Sequence, residues 1–434
     1  MQIEKAIQLF NSGKHSAASK ICAKILKQEP ANVQANVILF RIAEQSNNFK
    51  DYLRFVEKLR RFYPDNPDVQ FEYGRALRLN GRPQEALEEL RAVVANKNSY
   101  AGYYELGLAA SDANNSHGAR NAFEQALLIN PGCTNTIKHL GYMAYHENRL
   151  DDAIELYGEL VKRYPNTIHS YPELIKIHLL DANPSEALRL CDKCLQLEPS
   201  CTGVLAYKYV ALCELGRAKE AEYLFDLENL IFVLPVECPE GFKSIEGFNS
   251  VLSNHILRHT QKSLDPRKYT TNNGWQTENG KLFERNKKLG KAMYGIIEQA
   301  LSTYIARLPN DEGHPLLVGK PTQQHLESWA VVLTEQGHQG SHVHPKSWIS
   351  GCYYVELPSD FDQQTSPGAG CIVFGKAEEG MHITNEPRTR TIRPIEGRVV
   401  LFPSYFWHHT VPLESKENRI CIAFDLVPTN GWGR

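Results

Sequence analysis

The sequence predicts a two-part α+β chain, an all-α helical solenoid followed by a β-sandwich or barrel with helices packed against it. Three observations carry that expectation. Prolines and alanines recur about every 34 residues through the first half, and the period stops after Phe225. From Trp329 onward, short β-type runs alternate with turns rich in Gly, Pro and Ser. At 434 residues the chain is also too long for one ordinary core.

The repeat is marked twice. Helix-ending prolines fall at Pro30, Pro64, Pro131, Pro165 and Pro199, with one terminator missing near Asn98. In phase with them run Ala18, Ala86, Ala119, Ala153, Ala187 and Ala221. Such a period suits a helix–turn–helix unit. The alanine sits where two helices approach closely, and the proline ends the second helix. Gly13, Gly81, Asn148 and Gly216 fall at or near the intervening turns, where small or turn-forming residues are favoured. The second unit is weak, because Tyr52 takes the alanine place.

These stretches, among them GRPQEALEELRAVV, NRLDDAIELYGELVKRYP and NPSEALRLCDKCLQLEP, resemble the tetratricopeptide repeat family. The resemblance covers about residues 1 to 230 in six to seven units. It implies a peptide- or protein-binding surface, or a self-association device. The alternative is a spacer that only supports the second domain.

Beyond the repeats, NLIFVLPVECPEGF suits a strand and turn, and helical spacing returns over Ser244 to Arg258 and Glu284 to Leu308. The runs SWAVVL, SWISGCYYVEL, GCIVFG, GRVVLF and RICIAFDLV read as strands. Helices on one side of a double-stranded β-helix, or jelly-roll, fit this layout. The domains expected are therefore residues 1–230 and 231–434.

Half of the 16 histidines lie between His314 and His409. In GHQGSHVHPKSW, an extended backbone would put His342 and His344 on one face, two residues apart. FPSYFWHHTVP offers a third imidazole, His408 or His409. Two imidazoles from one segment and a distant third suit a non-haem iron in a β-barrel. Arg419 opens the last strand; if it points into the barrel, a buried cation demands an anion, and a dicarboxylate gripped by the planar guanidinium supplies one.

The stretches SWAVVL, SHVHPKSWISGCYYVELP, GRVVLFPSYFWHHTVP and RICIAFDLVP resemble the iron(II)- and 2-oxoglutarate-dependent dioxygenases. They are most similar to a bacterial-type family often fused to tetratricopeptide repeats, and their order parallels the prolyl hydroxylases. The resemblance implies an iron/2-oxoglutarate-dependent oxygenase, hydroxylation being the expected reaction, with Fe(II) as cofactor and 2-oxoglutarate as co-substrate. It makes His342 and His408 metal ligands and Arg419 the binder of the far carboxylate. Ser350 and Tyr354 become weaker co-substrate contacts, and His409 a neighbour facing away from the metal. Trp329, Trp348, Tyr353, Phe402 and Trp407 are expected to wall the pocket, with Trp348, Tyr353 and Trp407 the substrate-pocket candidates. No catalytic residue beyond the metal centre is expected.

One departure matters. The wider superfamily carries His-x-Asp/Glu, and here His344 stands where the carboxylate belongs. Two arrangements stay open, a three-histidine centre, or a two-histidine centre with His344 beside it; the spacing favours direct ligation. There are two rival functions. One is a repeat-based interaction protein with a degenerate barrel. The other is a three-histidine dioxygenase that uses no keto acid, against which Arg419 argues.

Composition narrows the class further. A formal net charge of -2 supplies no basic field for nucleic acid or an anionic membrane, and no apolar run approaches the ~18 residues of a membrane span. The N-terminal stretch carries charges throughout and lacks a signal peptide's apolar core. Cys191 and Cys194 form the only C-x-x-C, inside a helical stretch where packed thiols are expected rather than a zinc or redox site. Reduced thiols point to a cytoplasmic compartment.

Overall fold

The computed structural model describes residues 2–259, 262–263, 270–284, 286–318, 320–363, 365–381 and 383–429. Fourteen helices pair into seven hairpins: α1–α2 (Gln2–Asn11, His15–Gln28), α3–α4 (Val33–Gln45, Phe49–Phe62), α5–α6 (Pro67–Leu79, Pro83–Asn96), α7–α8 (Tyr100–Asp112, Ser116–Ile129), α9–α10 (Thr134–His146, Leu150–Arg163), α11–α12 (Pro172–Leu180, Pro184–Leu197) and α13–α14 (Thr202–Glu214, Ala218–Leu224). Every hairpin turns on one residue in the left-handed region. These are Gly13, Asn47, Gly81, Asn114, Asn148, Ala182 and Gly216, with φ between 54° and 73°. Glycine and asparagine tolerate that backbone and alanine does not readily.

The periodic alanines are the tight contacts. Ala18, Ala86, Ala119, Ala153 and Ala187 are fully buried, and so is Tyr52 in the second unit. The Tyr52 hydroxyl donates to Glu72, so a large side chain fits there by finding a polar partner. Three glycines complete the packing rule. A Cβ at Gly107 or Gly141 would stand 2.6 Å from the ring of Phe123 or Tyr157, and at Gly74 2.7 Å from Leu90. The first helix of each of these hairpins thus has no side chain where the second presents a large one.

By packing, the chain divides into Met1–Lys162 and Arg163–Arg434. The first compact unit holds five hairpins, and the second holds the last two together with the β region. This division and the expected boundary at 230/231 describe different things, since the latter marks where the repeat period ends.

The β region follows β1 (Phe232–Pro235), α15 (Ile245–Leu257), β2 (Lys262–Ser263), β3 (Thr271–Thr277), α16 (Lys287–Arg307) and α17 (Pro315–Val318) with β4 (Gln324–Gln339), β5 (Ile349–Glu356), β6 (Ile372–Phe374), β7 (Arg390–Ile392), β8 (Arg398–Pro403), β9 (His408–Thr410) and β10 (Arg419–Pro428). They form a seven-stranded sheet, β1-β8-β5-β10-β4-β3-β2, and a three-stranded sheet, β7-β6-β9, antiparallel throughout. This is the α+β architecture expected, with helices beside a double-stranded β-helix. The central strands β5, β8 and β10 are buried nearly throughout. Gly351 is required in β5, because a Cβ there would meet the Phe424 ring at 2.5 Å and the Val400 carbonyl at 2.7 Å.

Candidate metal centre

Alternation along β10 puts Arg419, Cys421, Ala423 and Asp425 on one face. Register carries that face across the sheet to Ser350, Cys352 and Tyr354 on β5 and to Trp329 and Val331 on β4. Above it lies the segment following β4, which contains His342 and His344. This segment is irregular and not a regular strand, but its backbone is fastened on both sides. His342 N–H donates to the His408 carbonyl at 3.0 Å, His408 N–H returns the bond at 3.1 Å, and His344 N–H donates to the Ser404 carbonyl at 2.9 Å.

The result is a cluster of His342, His344 and His408, with one ring nitrogen of each within 4.8 Å of the others. It is the one such group of three or more His, Cys, Asp or Glu among the described residues. The tautomers follow from the partners. His342 Nδ1 lies 2.8 Å from the Gly340 carbonyl, His408 Nδ1 2.9 Å from the Phe406 carbonyl, and His344 Nδ1 2.8 Å from Asp425 Oδ2. Carbonyl and carboxylate oxygens only accept, so each Nδ1 carries the hydrogen and each Nε2 keeps its lone pair. His344 Nε2 and His408 Nε2 nevertheless stand 3.3 Å apart. Two acceptors at that distance repel unless a cation lies between them, so the donor set fits a metal ion.

Protonation states agree with that fit. Burial, and then the neighbouring His344, push His342 down to about 3. Burial, and then His342 and His344, push His408 well below its ordinary value. Both rings stay neutral and able to ligate near neutral pH. Burial alone would raise the Asp425 carboxyl, but its interaction and hydrogen bond with His344 and further bonds from Ser350 and Ser347 outweigh it and hold it low. Ser350 Oγ donates to Asp425 Oδ1 at 2.6 Å and meets Ser404 Oγ at 2.8 Å. Trp329 stacks on His344 at 6.0 Å between ring centroids, and Phe402 lies 4.7 Å from His408.

Arg419 is 1% exposed, and among the described residues no carboxylate stands within ion-pair distance. Its Nε has no hydrogen-bond partner, and Nη1 reaches only the Cys421 sulfur at 3.9 Å. The guanidinium lies 5.1 Å from the centroid of Tyr354. Burial pushes the Tyr354 hydroxyl far up, so it stays a donor; its polar neighbours are the thiols of Cys352 and Cys421. A buried cation with no anion, next to a buried donor short of an acceptor, fits a carboxylate that comes from outside the chain.

The remaining expected residues take other roles. Tyr353 is on the opposite face of β5, where strand parity sends it, and its hydroxyl donates to Asn249 Oδ1 on α15 at 2.5 Å. Trp348 is buried with Nε1 donating to the Leu316 carbonyl at 2.8 Å, so it braces α17. Ser350 serves Asp425 as described. His409 alternates away from His408 along β9. Trp407 lines a cleft that also contains His342. Sequence reasoning missed Asp425, although it lies in RICIAFDLV at even spacing from Arg419 and therefore on the same face.

One antiparallel double-stranded β-helix thus carries three convergent imidazoles that could hold a metal ion and a buried, unpaired arginine. Residues 327–425 match the family described as "Putative 2OG-Fe(II) oxygenase", and residues 52–101 and 104–167 match "Tetratricopeptide repeat". The chain thus joins tetratricopeptide repeats to a C-terminal domain of that oxygenase family. No curated protein matches it in sequence. Among solved structures it is similar to the MamA protein, at 22% identity over 38% of this chain and 90% of that one, with a TM-score of 0.34. It is similar to PilW, a type IV pilus biogenesis factor, at 17% identity over 47% and 94% with a TM-score of 0.42. A tetratricopeptide repeat protein from Parabacteroides merdae matches at 14% identity over 52% and 90%, with a TM-score of 0.41. No helix among the described residues is long and apolar enough to cross a membrane.

Proposed function

We propose that the chain is an iron(II)- and 2-oxoglutarate-dependent dioxygenase, a hydroxylase, whose repeats recruit a peptide or protein as substrate or partner. In this reading residues 1–230 are the recruiting repeats and 231–434 the catalytic domain. His342, His344 and His408 hold the metal through Nε2. Arg419 binds the far carboxylate of the keto acid, and Tyr354 donates beside it. When both are bound, the centre supplies oxidative decarboxylation of 2-oxoglutarate coupled to hydroxylation of a substrate C–H bond.

The observation that carries the reading is Arg419, because a metal-binding barrel without a dicarboxylate co-substrate has no use for a buried cation lacking an acid. The chain's own residues do the positioning. Asp425 fixes the His344 tautomer and adds negative charge behind it, as carboxylates behind metal-bound imidazoles do. Ser350 and Ser347 keep Asp425 ionised, while Trp329, Phe402 and the thiols around Arg419 exclude water. Ten cysteines without a disulfide suit a reducing, cytoplasmic compartment.

The three-histidine set favours a second reading, a dioxygenase that uses no keto acid. One titration separates the two. Anaerobic, iron(II)-loaded protein titrated with 2-oxoglutarate should develop a visible metal-to-ligand charge-transfer band. Iron bound without the band would give the second reading; neither iron nor band would leave an interaction scaffold.

A further inference from the structure

A cleft of about 620 Å³ opens against His342. One wall is the H-V-H-P segment, with Val343, Pro345 and Lys346; the other is helical, with Glu173 from α11 and Gly203 and Tyr207 from α13. Trp407 joins the walls, its Nε1 donating to the Ala206 carbonyl at 3.0 Å. Lys176 on α11 is paired at 3.0 Å with Glu378, which also lines the cleft from beyond β6. All of these residues belong to the second compact unit.

We infer that this cleft is the substrate site and that it takes an extended peptide segment of a protein, laid between the last two helical hairpins and the metal centre. The inference rests on the oxygenase reading, since His342 gives the cleft its chemistry. Its volume falls within the roughly 300–1,000 Å³ of sites that hold drug-sized ligands. Its surface mixes apolar faces, Val343, Pro345, Tyr207 and Trp407, with Glu173 and Lys346. Both of those charges are exposed, and neither has an ion-pair partner among the described residues. A peptide brings backbone donors and acceptors together with side chains of either sign, which such a surface recognises.

Gly203 points the same way. It sits in the first turn of α13 without a left-handed φ, and a Cβ there would meet only Pro345, at 3.7 Å. Neither backbone nor crowding requires glycine, a poor helix former, at this place. What the missing side chain leaves is open space in the cleft wall facing Pro345.

The test uses the full-length protein, wild type, Gly203→Phe and Lys346→Glu, on an array of short synthetic peptides varied at each position, with the 2-oxoglutarate band read in parallel. The wild type should retain a subset of peptides, and Gly203→Phe should bind them at least about tenfold more weakly while the band persists. Lys346→Glu, a surface change that leaves folding intact, should move the retained set from acidic towards basic residues at one position. Equal retention by Gly203→Phe overturns the cleft as the site. A wild type that forms the band and retains no peptide overturns the peptide class. A wild type without the band removes the oxygenase reading alone, and the Gly203→Phe comparison still decides whether the cleft binds peptide.

Discussion

Replacing Arg419 with methionine separates a co-substrate anchor from a structural arginine. The side chain is 1% exposed, has an unpartnered Nε, and has no carboxylate within reach among the described residues. In the ligand-free protein it is therefore an uncompensated buried charge, and methionine of similar length relieves it, leaving stability unchanged or raised. With 2-oxoglutarate the balance reverses. Removing one partner of a buried, hydrogen-bonded charge pair costs about 2–5 kcal/mol, a loss in affinity of roughly 30- to 5,000-fold. The assay is the charge-transfer titration under anaerobic iron(II), alongside thermal unfolding without ligand. Iron should still bind, because Arg419 donates to no histidine of the cluster. An R419M affinity within about threefold of wild type would refute the assignment. A loss of about 3 kcal/mol in the ligand-free protein would refute it too, by showing that the guanidinium supports the fold.

The further outcomes rest on particular residues. His344→Ala should abolish iron binding if all three imidazoles ligate, whereas Asp425→Asn should keep the ligand count and weaken the metal about 10- to 100-fold, both read by metal-competition titration. Gly141→Ala should destabilise by about 1–3 kcal/mol in chemical denaturation, since its Cβ would stand 2.6 Å from the Tyr157 ring. Gly158→Ala, with nothing within 4 Å of its Cβ, should instead stabilise by about 0.5–1 kcal/mol. His314 is buried, with Nε2 donating to the Tyr223 carbonyl at 3.0 Å and Nδ1 accepting from Leu316 N–H at 3.3 Å. Burial lowers its pKa, so below its ordinary value of 6.5 the unfolded chain binds the extra proton. Its contribution to stability is then whole above about pH 6.5 and falls by at most about 1.4 kcal/mol per unit on acidification. His314→Gln should remove one proton from the slope of stability against pH, and an unchanged slope would contradict this.

Much of this was legible because it is periodic. The alanines predicted the close helix contacts, and each glycine or asparagine marked at a turn lies in the left-handed region. Asn47, Asn114 and Ala182 were not singled out, since asparagine is common and alanine carries no turn signal. Ala182 adopts φ 54° because the repeat geometry demands it. Strand parity was legible in principle and decides Tyr353 against Tyr354, yet composition draws attention to both aromatics equally. Ser350 was read by its place in a motif and Trp348 as one of several aromatics, but their partners, Asp425 and Leu316, are far away in sequence. The packing division at 162/163 was illegible for a related reason, because the repeat period runs straight through it.

The substitution of His344 for a carboxylate looks like the loss of a negative charge at the metal, and Asp425 shows why it need not be. A carboxylate ligand would contribute its charge directly. In the proposed centre the same charge would sit one imidazole further out, on Asp425 at 2.8 Å from His344 Nδ1, and would be conveyed through the hydrogen bond that makes Nε2 a stronger donor. The arrangement needs a carboxylate that stays ionised while 7% exposed, and Ser350 at 2.6 Å supplies one of the bonds that keep it so. It also needs Asp425 and Arg419 on one face of one strand, which their even spacing ensures. The last strand would then set both the charge behind the metal and the cation that receives the co-substrate. A one-residue slip of β10 would turn both away from the centre together, so the register of this strand, more than any single ligand, is what the barrel must hold.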